Sequence, residues 1–125
     1  MADFLVDTNL FSRIFTGDKN VKQFIETLDA AVCTVVYVEC LQGSKSNREK
    51  RIVESYLARF ELCHLTADTS ARTIDLIRTY SNTNGLLLAD ALIASTCLDR
   101  DLTLVTYNVS DFHFIQGLKY LKPPV

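Results

Sequence analysis

Four acidic residues are placed to do chemistry in this 125-residue chain: Asp7, Glu39, Asp90 and Asp111. Asp7 ends the apolar run Phe4-Leu5-Val6 and precedes Thr8-Asn9. Glu39 stands between Val38 and Cys40, and Asp90 interrupts the otherwise apolar stretch around Leu88-Ala89 and Ala91-Leu92-Ile93-Ala94. Asp111 closes the polar segment that begins Thr106-Tyr107-Asn108. Each acid also has an ordinary structural reading. Asp7 suits a helix cap, Glu39 the exposed face of a helix, and Asn108 with Asp111 a turn. Asp90 is harder to dismiss, because a lone carboxylate among apolar side chains must face water, a partner or a metal ion.

The elements between them decide whether the acids can meet. Phe4 to Val6 reads as a short buried strand that feeds an amphipathic stretch with Leu10, Phe11, Ile14 and Phe15. Two helices are expected from Thr8 to Thr16 and from Asp18 to Asp29, separated at Gly17, with Asp18 as a cap. Ala31 to Val36 reads as a second strand. From Val35 the pattern turns helical through Glu39 and Leu41 to Gly43. Lys45 to Phe60 forms a helix with Ile52, Val53, Tyr56, Leu57 and Phe60 on one face and a basic start at Lys45, Arg48, Lys50 and Arg51. A third strand is expected at Leu62 to Leu65. A helix follows from Ala67 to Ser81, with Ala71, Ile74, Leu76 and Ile77 as its apolar residues. Leu86 to Leu98 is a central helix, Leu102 to Val105 a fourth strand, and Leu118 to Leu121 a short edge strand before Pro123-Pro124.

Strands alternating with helices define an α/β fold built on a parallel sheet. In such a sheet ligands bind at the carboxyl ends of the strands, and all four acids can converge there. Carboxylates so close repel one another, and a divalent cation removes that penalty. Oxygen donors with no matching His or Cys set indicate Mg²⁺, with Mn²⁺ as the alternative. A cation site of this type suits phosphodiester hydrolysis. One ion activates water, and a second, roughly 3.5–4 Å away, steadies the leaving oxygen. Asp7 and Asp90 are the strongest candidate ligands, with Glu39 and Asp111 completing the site directly or through water. Thr8, Asn9, Thr106 and Asn108 are candidates to orient carboxylates and waters by hydrogen bonding.

Composition narrows the class. The length indicates one domain, residues 1–125, and the 48% hydrophobic share supplies a core. The formal net charge of −2 argues against a protein that coats nucleic acid generally, but does not exclude an enzyme that grips nucleic acid locally through a basic rim. Cys33, Cys40, Cys63 and Cys97 lie among apolar neighbours without Cys-x-x-Cys spacing and read as buried free thiols. His64 and His113 stand alone, as strand-end or core-edge residues. No stretch has the length of a membrane span, and the start of the chain is unlike a signal peptide, so a cytoplasmic protein is expected.

The motifs Leu5-Val6-Asp7-Thr8-Asn9, Val38-Glu39-Cys40-Leu41-Gln42-Gly43, Leu88-Ala89-Asp90-Ala91-Leu92-Ile93-Ala94 and Thr106-Tyr107-Asn108-Val109-Ser110-Asp111-Phe112 stand in this order along nearly the whole chain. Together they resemble the PIN-domain ribonucleases, and most of all the VapC toxins of type II toxin–antitoxin pairs. The resemblance implies a PIN-like domain with a parallel sheet of about five strands flanked by helices. It implies a magnesium-dependent endoribonuclease that acts on structured RNA such as transfer or ribosomal RNA. It also implies a homodimer inhibited by a cognate, VapB-like antitoxin whose C-terminal segment reaches the acidic site. By motif match Asp7, Glu39, Asp90 and Asp111 take the family's acidic positions. Two residues depart from the commonest pattern: Cys40, where Leu is frequent, and Tyr107, where a basic residue is frequent. The expected antitoxin surface is the groove formed by Leu10 to Phe15, Val21 to Leu28, Val36 to Leu41 and Glu49 to Phe60, with Leu57→Asp expected to weaken binding.

Three rival classes fit the residues less well. A PIN fold that binds RNA or protein without cutting would be marked by a lost acid, and none is missing. A phosphoacceptor receiver domain needs an acidic pair after the first strand and a Lys after the fifth, whereas Asp7 stands alone and the segment from Thr106 to Asp111 has no Lys. A haloacid-dehalogenase-like phosphatase needs a second Asp two residues after the first, where Asn9 stands.

Overall fold

The structure, a computed structural model, describes residues 2–125; Met1, the first residue of the expected domain, lies outside them. Five parallel strands form one sheet: β1 (Phe4–Val6), β2 (Ala30–Cys33), β3 (Glu61–Cys63), β4 (Thr103–Val105) and β5 (Tyr120–Leu121), in the order β3-β2-β1-β4-β5. The helices are α1 (Thr8–Phe15), α2 (Lys19–Glu26), α3 (Thr34–Gln42), α4 (Asn47–Leu57), α5 (Ala67–Asn84) and α6 (Leu88–Arg100). β1 lies between β2 and β4, so the strand order changes direction at β1 and β4. Their carboxyl ends form the switch-point crevice in which α/β sheets bind ligands. Asp7 sits directly at that point, its backbone N–H donating to the Val105 carbonyl at 3.0 Å.

Every residue of β2 is buried, as are Leu5, Val6, Leu104 and Val105 in the two strands that meet at the switch point. That matches the near-continuous apolar runs of strands covered on both faces. α6 presses Ala91, Ile93, Ala94 and Cys97 into the same core, so the stretch carrying Asp90 is central, as its composition indicates. Phe11 on α1 meets Phe60 and Tyr56 edge-on, at centroid distances of 5.5 and 6.3 Å, which pins the end of α4 to α1. All four cysteines are free and buried. Among the described residues no helix is long and apolar enough to cross a membrane.

Several element bounds differ from those read in the sequence. β2 ends at Cys33, and the β-branched residues Thr34, Val35 and Val36 open α3 instead of continuing the strand. Intrinsic β preference yields here to the turn into a helix, where the Thr34 hydroxyl donates to the Cys63 carbonyl on β3. α4 begins at Asn47, not Lys45, because Ser46 Oγ caps the Glu49 N–H at 3.1 Å. α5 extends to Asn84 and stops at Gly85, which adopts the left-handed conformation (φ 70°) suited to a helix C-terminus. α6 begins at Leu88, and Leu87 and Leu88 are exposed.

The buried face of α5 is also different. It consists of Thr69, Thr73 and Leu76, while Ile74 is 57% exposed. α5 packs on α6, and the Thr73 hydroxyl donates its one proton to the Thr69 carbonyl, so the 3.0 Å hydrogen bond between Thr73 and Ser95 uses the serine's proton. A helix face of hydroxyls is buried without cost when its partner supplies matching polar atoms. On α4, Val53 and Leu57 are buried but Ile52 is 56% exposed. Leu57, at 1% exposure, belongs to the core and not to a partner surface, so Leu57→Asp tests folding instead of binding.

Candidate active site

Asp7 is both cap and candidate ligand. As N-cap of α1 it accepts the Thr8 N–H on Oδ1 at 2.7 Å. Its other oxygen, Oδ2, accepts the Thr106 hydroxyl at 2.8 Å and the Asn9 amide at 3.3 Å. Thr106 Oγ1 in turn accepts from Asn9 Nδ2 and from the Asn108 N–H, at 3.2 and 3.0 Å. The hydroxyl therefore uses its single proton on Asp7 and both acceptor positions on neighbours, which leaves it no freedom to turn. The Asn9 carbonyl oxygen closes the network by accepting the Tyr107 N–H at 3.3 Å. Asn108 takes part through its backbone; its exposed side chain makes no hydrogen bond in this network.

Glu39 projects from α3, and its Oε1 accepts the Thr8 hydroxyl at 2.6 Å. Thr8 thereby touches two of the candidate acids, Asp7 through its N–H and Glu39 through its side chain. Asp90 lies in the first turn of α6 and is half-buried, and Asp111 is exposed at the end of a short 3-10 turn after β4.

The electrostatics couple Asp7 and Asp90 to neighbouring acids. Burial pushes the Asp7 carboxyl above its ordinary value; the bonds from Thr106 and Thr8 oppose that, and the charges of Glu39 and Asp111 add to it. Asp90 is pushed up to about 6, first by burial and then by repulsion from Asp7, Asp111 and Glu39. Burial and neighbouring carboxylates thus raise both acids, and no ion pair with a basic side chain offsets this among the described residues. The four have not closed into a compact shell: among the described residues no three His, Cys, Asp or Glu side chains are drawn together tightly enough to hold a metal ion. The donor chemistry still fits a hard divalent cation, since the crevice holds carboxylates and hydroxyls. The thiol beside them, Cys40, is buried with its pKa pushed up to about 12 and stays protonated.

The raised Asp90 has a measurable consequence. Its folded-state value of about 6 exceeds the ordinary 3.8, so its contribution to stability is fully present below 3.8 and is lost as pH rises through about 6. Asp90→Asn is therefore expected to raise the thermal midpoint in chelator at neutral pH. After discounting for solvent screening the gain is about 1 kcal/mol, and it disappears on acidification. A midpoint that falls at neutral pH would sink the assignment of repulsion to Asp90.

One contact had no counterpart in the sequence reading. The Arg13 guanidinium, on α1, lies over the Tyr107 ring at 3.9 Å from its centroid. Arg13 follows Asn9 by four residues, one helical turn, so the spacing alone places it on the face of α1 that meets the segment after β4.

These features define a PIN-type nuclease fold, and comparison with known proteins agrees. The PIN domain family model matches residues 4–114. The chain belongs to the PIN-domain family. It is VapC-like within that family, with 30% identity over 127 residues to ribonuclease VapC1 of Rickettsia felis, an alignment covering 94% of this chain and 93% of that protein. A toxin–antitoxin complex from Klebsiella pneumoniae contains a chain of the same fold, with a TM-score of 0.79 and 27% identity, covering 92% of this chain and 94% of that one. VapBC2 of Rickettsia felis, bound to a promoter DNA fragment, superposes with a TM-score of 0.77 at 24% identity over 96% of this chain and 98% of that chain, a likeness of fold.

Proposed function

We propose that this protein is a Mg²⁺-dependent endoribonuclease, the toxin of a toxin–antitoxin pair, that hydrolyses RNA phosphodiester bonds at Asp7, Glu39, Asp90 and Asp111. The observation that carries the reading is Asp7, buried at the strand-order switch point and held by Thr8 and Thr106, with Glu39 tied to the same Thr8 and no basic side chain paired with either acid among the described residues. Asp7 and Asp90 would hold the cation, with Glu39 and Asp111 completing the set directly or through water, and Mn²⁺ would substitute. A bound divalent cation supplies charge neutralisation for the phosphodiester and acidifies a water molecule.

The chain's own residues do the positioning. The Thr106 hydroxyl and the Thr8 N–H hold both oxygens of Asp7 in one orientation, and the Thr8 hydroxyl aims Glu39 toward the same crevice. Asp90 and Asp111 approach from α6 and from the segment after β4, free of such restraint, and are the two able to adjust to a substrate phosphate.

The partner readings have their own support. A cleft of ≈ 520 Å³ between α1, α3 and α4 is lined by Ile14, Phe15, Cys40, Ile52 and Glu39 among others. A peptide lying in it would cover apolar surface and reach Glu39, which suits an antitoxin segment that silences the site. The Klebsiella pneumoniae structure similar to this chain is a toxin–antitoxin complex. Leu87 and Leu88, 71% and 64% exposed just ahead of Asp90, are apolar surface of the kind a homodimer covers. We place the protein in the cytoplasm, with structured RNA, transfer or ribosomal, as its substrate.

The test is incubation of purified, antitoxin-free protein with total RNA in Mg²⁺, in Mn²⁺ and in EDTA. Discrete fragments are expected in both metals and none in EDTA, and mapping their ends names the bond. An intact RNA pool in Mg²⁺, with the protein folded by circular dichroism, would replace this reading with that of a non-cleaving binding module.

A further inference from the structure

We propose that Arg13, lying over the Tyr107 ring, is the substrate-positioning contact to an RNA phosphate at the edge of the acidic crevice; this rests on the nuclease reading above. The crevice presents four carboxylates, so a polyanion needs a positive charge beside it to approach. The arginines divide cleanly. Arg59, Arg72, Arg78 and Arg100 are each paired with a carboxylate. Arg48 and Arg51 lie on α4 and line, with Tyr56 and Arg59, a hollow that none of the four acids lines. Arg13 is exposed, has no carboxylate partner among the described residues, and is tied to the segment that leads from Thr106 to Asp111.

Its placement is built by two successive rungs between α1 and that segment. On the first, Asn9 bonds Asp7, Thr106 and the Tyr107 N–H. On the second, one turn further along α1, Arg13 covers the Tyr107 ring. The ring is itself fixed: Tyr107 packs against the core, and its hydroxyl tip is buried without a hydrogen-bond partner. A guanidinium stacked on a fixed aromatic face keeps its N–H edge free and loses little further freedom on binding. That edge is matched in shape and charge to a phosphate, which a flexible ammonium would meet only as a point charge. The Asn9 and Arg13 rungs share one helix face, so the phosphate held by Arg13 lies along the chain from the bond presented to Asp7.

The readout is RNA binding, independent of cleavage: anisotropy of an end-labelled RNA oligonucleotide of randomised sequence, in Ca²⁺, across a salt series, for wild type, Arg13→Gln, Arg13→Lys and Tyr107→Leu. Arg13→Gln is expected to weaken binding by about tenfold and to make the slope of log K against log salt shallower by about one. Arg13→Lys restores the slope but not the full affinity. Tyr107→Leu keeps the charge, so it lowers affinity by about threefold and leaves the slope in place. Unchanged affinity and slope in Arg13→Gln, or no RNA binding by the wild type, overturns the proposal. A slope change in a protein that never cleaves total RNA would uphold this contact and defeat the nuclease reading. Cleavage with an unaltered slope would do the reverse.

Discussion

Asp90→Asn is expected to abolish metal-dependent RNA cleavage, by on the order of a thousandfold, in a protein that stays folded and becomes slightly more stable in chelator at neutral pH. The activity loss follows from the charge. An amide occupies the same space as the carboxylate but neutralises no cation, and the several kcal/mol of charge stabilisation that a metal site contributes corresponds to about that factor. The stability gain follows first from no longer burying a charged carboxylate and then from relief of its repulsion by Asp7, Asp111 and Glu39. Asp7→Asn is expected to lose as much activity but to move stability the other way. The Thr106 hydroxyl accepts from Asn9 and Asn108, so its one proton is committed to Asp7. An Asn at position 7 must turn an N–H₂ either at that hydroxyl or at the Thr8 N–H, setting donor against donor. One orphaned buried group costs about 1–3 kcal/mol, and the bonds from Thr106 and Thr8 that favour the charged carboxyl are lost with it. Cleavage assays on total RNA with thermal unfolding in EDTA check both variants. Residual cleavage within tenfold of wild type in Asp90→Asn would remove Asp90 from the chemistry, and stability shifts of the same sign in the two variants would contradict the roles assigned to their neighbours.

The second large effect separates the core from the partner surface on a single helix. Leu57→Asp is expected to destabilise the fold by about 4 kcal/mol or more, a large share of the roughly 5–15 kcal/mol of a typical domain. Leu57 is 1% exposed and lies in the core beside the aromatic set of Phe11, Tyr56 and Phe60. A carboxylate there has no water and no cation. Ile52→Asp, five residues earlier on α4, is expected to change stability by no more than about 0.5 kcal/mol, because Ile52 is 56% exposed. It lines the cleft that reaches Glu39, so it is expected to weaken capture of a co-expressed antitoxin by about tenfold or more, as a charge in an apolar contact does. Urea unfolding measures the first effect and co-purification the second. A stable, partner-deficient Leu57→Asp would mean that α4 is held by the partner and not by the core. Undiminished capture by Ile52→Asp would take the cleft out of the interface.

The sequence by itself determined the class of fold and singled out four acids as candidates. Phe4 to Val6 and Leu102 to Val105 are too apolar to lie anywhere but inside a covered sheet, and the helical stretches between the strands require parallel pairing. Asp7 and Asp90 were legible for the complementary reason: a carboxylate placed among residues that must be buried is too costly to be incidental. The tertiary structure alone decided which groups hold them. The Thr106 hydroxyl on Asp7, the Thr8 hydroxyl on Glu39 and the Arg13 stack on Tyr107 join residues 99, 31 and 94 positions apart in the chain. No local periodicity encodes such pairs; they exist because β1 pairs with β4 in register and α1 leaves the sheet between them. The same holds for the surface of each helix. Spacing assigned Ile74 and Ile52 to buried faces, but what a face buries depends on its partner. α6 offers Ser95 to Thr73 and so turns the hydroxyl face of α5 inward, leaving Ile74 in water. Periodicity shows that a helix has two sides, and only the neighbouring element settles which side is covered.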